Sequence, residues 1–69
     1  MIGIFKTNIN TQKEKNRVIR ALSGEFSATM CTLDLEDCDK VLRVDCPQMQ
    51  EHQVISFVRD LGYQCAVLE

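Results

Sequence analysis

The stretch MCTLDLEDCDKVLRVDC, Met30 to Cys46, alternates on both sides of an acidic centre. Cys31, Leu33 and Leu35 alternate with Met30, Thr32 and Asp34, and the alternation begins near Ser27. Beyond Glu36-Asp37-Cys38-Asp39, Leu42, Val44 and Cys46 alternate with Val41, Arg43 and Asp45. A period of two is the signature of a half-buried strand, and a polar tetrad between two such runs is a turn. Setting Leu35 opposite Lys40 places Leu33 opposite Leu42 and Cys31 opposite Val44. Both apolar sets then share one face, whereas a slip of one residue would send one set to the other side. The pattern therefore predicts an antiparallel hairpin and its register.

Working outward, residues 2–7, IGIFKT, have the β-branched and aromatic content of a strand, although Ile2 and Ile4 compete with Phe5 for its inner side. Thr11, followed three residues later by Glu14, is a capping box, and a helix over about 12–23 follows with Val18, Ala21 and Leu22 on one stripe. Gly24 is expected to end it. Pro47 stops the hairpin and is expected to start a second helix over 48–61, with Val54, Phe57, Val58 and Leu61 at helical spacing and Gly62 as its cap. Tyr63 to Leu68 then reads as a last strand. The order strand, helix, strand, strand, helix, strand, with right-handed crossovers, gives an antiparallel sheet ordered 4-1-3-2 under two helices. This is the α+β ferredoxin-like sandwich, and 69 residues make it one domain, 1–69.

Charge and cysteine usage narrow the function classes. The net charge of −2 divides unevenly, about +3 over residues 1–26 and −5 over 27–69, which can steer a charged partner or favour contact between copies. An overall acidic chain with no aromatic among its basic residues argues against nucleic-acid binding. No run approaches the ~18 apolar residues of a membrane span, and MIGIFKTNIN has neither the length nor the basic start of a signal peptide. A cytoplasmic protein is expected. Cys31, Cys38, Cys46 and Cys65 lie 7, 8 and 19 residues apart with no C-x-x-C pair, which fits neither a zinc knuckle nor, without export, a disulfide framework. Cys31, Cys46 and Cys65 are expected as packed strand residues, and Cys38 as an exposed one in the acidic turn.

Catalytic signals are few. His52, the one histidine, is expected on the solvent side of the second helix, with no nucleophile–base pattern around it. The chain is expected to be no enzyme and to need no cofactor. Cys38 and Asp39, with the neighbouring acids, are the alternative for a metal ion. The sheet face away from the helices is expected to expose Met30, Thr32, Val41 and Arg43, with Ala66, Leu68 and one of Ile4 or Phe5. Such a semi-apolar face fits a protein partner or a second copy of the chain.

Over nearly its whole length the chain resembles the heavy-metal-associated domains, the small copper chaperones and the metal-binding modules of metal-transporting ATPases. The resemblance lies in the element order and size, Val18, Ala21 and Leu22 of the first helix, the apolar hairpin, and Leu61-Gly62-Tyr63 leading into the last strand. It implies a metal loop M-x-C-x-x-C between the first strand and helix, whose positions fall on Ile9, Thr11 and Glu14. Both thiolates are thus replaced, and a hydroxyl with a carboxylate does not hold soft Cu(I). The expectation is a non-enzymatic accessory or protein-interaction domain. The alternatives are a metal carrier with other ligands, and a small-ligand regulatory domain by fold analogy.

Overall fold

The structure, a computed structural model, describes residues 1–26 and 30–69; the expected start of the alternation at Ser27 lies outside them. Its elements run β1 (Ile2–Thr7), α1 (Gln12–Phe26), β2 (Met30–Asp34), β3 (Val41–Asp45), α2 (Glu51–Asp60) and β4 (Cys65–Val67). They form the ferredoxin-like βαββαβ sandwich, an antiparallel sheet ordered β2-β3-β1-β4 with both helices on one face. The hairpin register is as the alternation requires: Cys31 opposes Val44 and Leu33 opposes Leu42. The turn between them is held by its acids, because Asp34 and Asp37 carboxylates accept the amides of Glu36 and Asp39 at 3.0 and 2.8 Å. Lys40 closes it in the left-handed region, at φ 47°, with its Nζ donating to the Leu35 carbonyl at 2.8 Å.

On the helix side of the sheet, Phe5, Leu33, Leu42, Val44, Cys46 and Cys65 meet Val18, Leu22, Val54 and Val58 in one core. The inner side of β1 is Gly3 and Phe5, leaving Ile2 and Ile4 outward. Gly3 explains the choice. A Cβ there would stand 2.6 Å from the Phe5 ring, so only glycine lets that ring lie back over the strand.

Three boundaries differ from the sequence expectation. Helix α1 does not end at Ser23-Gly24 but runs on to Phe26. Its last turn is held by tertiary contacts: Phe26 meets Phe57 edge-on, 5.1 Å between centroids at 80°, and the Cys46 thiol donates to the Phe26 carbonyl at 3.4 Å. Pro47 opens a turn rather than a helix, with the Met49 amide returning to the Cys46 carbonyl at 3.2 Å and Met49 plugging the core. Helix α2 starts after Gln50, whose amide donates to Gln53 Oε1 at 2.8 Å. Strand β4 is confined to Cys65–Val67. Gly62 caps α2 as expected, at φ 101°, with Gly62 and Tyr63 amides donating to the Arg59 and Val58 carbonyls.

Candidate functional site

The loop leaving β1 is built to start a helix. The Glu14 amide donates to Thr11 Oγ1 at 3.1 Å, and Glu14 Oε1 accepts the Thr11 and Asn10 amides at 3.2 and 3.3 Å. One amide of the first turn and the two just before α1 are thereby satisfied by two side chains. Ile9 is fully buried in the core, so its side chain does not enter the loop surface. No sulfur lies at positions 9, 11 or 14, and the two polar side chains that stand there are committed to backbone amides.

The opposite side of the molecule is different in kind. The three registers align the outward residues in rows across the strands: Met30, Asp45 and Ile2; then Thr32, Arg43 and Ile4; then Asp34 and Val41, with Lys6 beside Ala66. Ile2 is 77% exposed, Met30 57% and Ile4 40%, and these are the large exposed hydrophobics among the described residues. All three stand on this one face. Thr32 and Arg43 are exposed there as expected, and Ala66 and Leu68 are half-buried. Val41 departs from expectation. It points to the same face, opposite Asp34 of β2, yet is buried. The sequence pattern missed Ile2, since β1 by itself left its outward side open. Four strands at ~4.8 Å spacing and about 17 Å long make a face of roughly 300 Å², polar and apolar side chains together.

The cysteines divide as their places in the strands dictate. Cys46 and Cys65 are buried, Cys31 is half-buried and Cys38 is exposed. Burial pushes the Cys31 thiol up to about 11, and burial does the same to Cys65, against a smaller lowering by the Arg59 charge. Neither is a thiolate at neutral pH. Cys38 lies with Asp37 and Asp39 such that one ligand atom from each falls within 4.8 Å of the others. The Asp37 carboxylate is at the same time the acceptor that closes the turn. Beside this turn runs an open groove of about 630 Å³, walled by Lys6, Cys38, Asp39, Arg59 and Tyr63, with Arg59 Nε donating to the Cys65 carbonyl at 3.2 Å. His52 is exposed on α2, as expected. No helix is long and apolar enough, among the described residues, to cross a membrane.

Comparison with protein-family models, curated proteins and solved structures gives no match to this chain. What the molecule offers for function is therefore carried by its own geometry: a small ferredoxin-like domain, cysteines outside any C-x-x-C arrangement, and one semi-apolar sheet face.

Proposed function

We propose that the chain is a non-enzymatic, cytoplasmic protein-interaction domain that docks a protein partner on its open sheet face. The observation that carries this is the segregation of Ile2, Ile4 and Met30 onto that one face, interleaved with Thr32 and Arg43. Apolar side chains with polar neighbours in the same rows are the composition of a contact surface, where burial supplies affinity and hydrogen bonds fix the register. In lineage, the proposal places the chain beside the heavy-metal-associated domains, with the metal loop turned into a helix cap through Thr11 and Glu14. Installing both thiolates, Thr11→Cys with Glu14→Cys, is expected to create a Cu(I) site; a double variant that folds and takes up no copper removes that lineage.

The docking role is tested with a photo-crosslinking residue placed in cells at position 4 or 32, and at Ser56 on exposed α2 as the comparison. A discrete adduct from positions 4 and 32 but not from 56 is expected. Equal labelling from all three, or none from the sheet positions, refutes docking there. The gathering of Asp37, Cys38 and Asp39 within 4.8 Å supports a second function, metal carriage at the hairpin turn. Cys38→Ser with Asp39→Asn should then abolish uptake of Zn(II); unchanged uptake ends it.

A further inference from the structure

Helix α1 carries its charges in the arrangement that an isolated helix disfavours. Lys13 and Lys15 lie near its N-terminus, the positive end of the peptide dipole, while Glu25 lies near its C-terminus and the last turn holds no basic residue. Lys13, Arg17 and Arg20 succeed one another at spacings of four and three, so three like charges share one exposed stripe where opposite charges would attract. Glu14, the acid of the first turn, is committed to the amides of Asn10 and Thr11. The stripe thus holds three like charges in succession, with no acid among its own residues.

Over that stripe lies a shallow depression of about 410 Å³, open to solvent and bordered by Lys13, Asn16, Arg17, Arg20 and Ala21, with no carboxylate among them. Arg17 leans on Tyr63, in the turn between α2 and β4: its Nη1 donates to Tyr63 Oη at 3.4 Å, and its guanidinium stands 6.0 Å from the centre of the Tyr63 ring. The Tyr63 backbone is itself placed by the Gly62 cap, its amide donating to the Val58 carbonyl at 3.3 Å. A guanidinium positioned before the ligand arrives loses less freedom on binding. Asn16 accepts from Gln12 Nε2 at 3.0 Å through Oδ1, which leaves its NH₂ to donate outward.

We propose that this depression binds a small polyanion carrying two or more phosphate or carboxylate groups. Arg17 meets one anionic group as a two-pronged donor, Lys13 and Arg20 supply the flanking charge, and Asn16 adds a neutral donor. The site lies on the helix layer, away from the open sheet face, and does not depend on docking there. Bound anion turns the repulsion along the stripe into shared attraction, so occupancy stabilises the fold.

Amide NMR of isotope-labelled protein, titrated with inorganic pyrophosphate and separately with citrate at an ionic strength of ~0.15 M, tests the proposal and identifies the preferred anionic group. Saturable shifts are expected at Lys13, Asn16, Arg17 and Arg20 with at least one of the two anions. R17Q and R20Q should each weaken binding about tenfold, while K6Q, which removes a cation outside the stripe, should bind as the parent does. In anion-free buffer R20Q should melt higher than the parent, and pyrophosphate or citrate should raise the parent's melting temperature more than that of R20Q. Shifts that never saturate, an equal loss in K6Q, or an R20Q variant that melts lower without anion each overturn the site.

Discussion

Removing the Thr11–Glu14 box should cost this domain a sizeable part of its stability. Thr11→Ala takes the acceptor from the Glu14 amide, and losing an N-cap hydroxyl costs about 1 kcal/mol, within a range of roughly 0.5–2. Glu14→Ala strips two amides, those of Asn10 and Thr11, and also removes a negative charge from the positive end of α1, itself worth about 0.3–1 kcal/mol. The bonds are reciprocal, so the two losses overlap and the double variant should lose about 1.5–2 kcal/mol rather than their sum. Against the ~3–10 kcal/mol usual for a chain of this length, that is a large share. Urea denaturation reads it directly. With a slope near 1 kcal/mol per molar, each single variant should lower the midpoint by about 1 M at unchanged slope. Thr11→Ser, which keeps the oxygen, should stay within a few tenths of a molar of the parent, and Glu14→Gln should fall between parent and Glu14→Ala. A Thr11→Ala midpoint within about 0.2 M of the parent, or losses that add without overlap, would show that the loop is not organised by this box.

Three further outcomes follow from particular positions. Gly24 lies inside α1, exposed, with nothing within 4 Å of where a Cβ would stand, so Gly24→Ala should stabilise by about 0.5–1 kcal/mol and raise the melting temperature by a few degrees; a loss would mean the helix ends earlier than Phe26. Gly3→Ala has the opposite sign, since its methyl would meet the fully buried Phe5 ring at 2.6 Å, and about 1–3 kcal/mol should be lost in thermal unfolding; a melting point equal to the parent's would show that the ring has room to shift. Because burial raises the Cys31 and Cys65 thiols from 9.0 to about 11, the unfolded chain releases its protons first as the medium turns alkaline. Their contribution is whole below about pH 9 and is lost between there and pH 11, so the urea midpoint should fall over that window in the parent and less in a Cys31→Ala, Cys65→Ala variant.

Much of the fold is legible because its signals are local. The hairpin register needs only the alternation and the place of the acidic turn between its two runs, since a slip of one residue exposes one apolar set. The helix start at Thr11 and the stop at Gly62 are likewise short-range, each a matter of which amides and carbonyls a neighbouring residue can satisfy. The absence of sulfur from positions 9, 11 and 14 is read directly from the chain. The candidate site is less legible. Met30, Thr32 and Arg43 follow from the hairpin, but Ile2 and Ile4 join them only once the side of β1 is known, and Val41, on the same face, leaves the exposed set because it is buried in the folded chain.

By itself, then, the order of residues determined the kind and sequence of elements, the hairpin pairing and the capped loop, because periodicity and capping act over a few residues. Tertiary structure decided which side of β1 faces the core, how far α1 runs and where Arg17 points. Each of those depends on a group distant along the chain or on the shape of a ring: Phe5 folded over Gly3, Phe57 and Cys46 at the end of α1, and Tyr63 beneath the guanidinium. No local pattern encodes them, since the energy that selects them exists only when the layers meet.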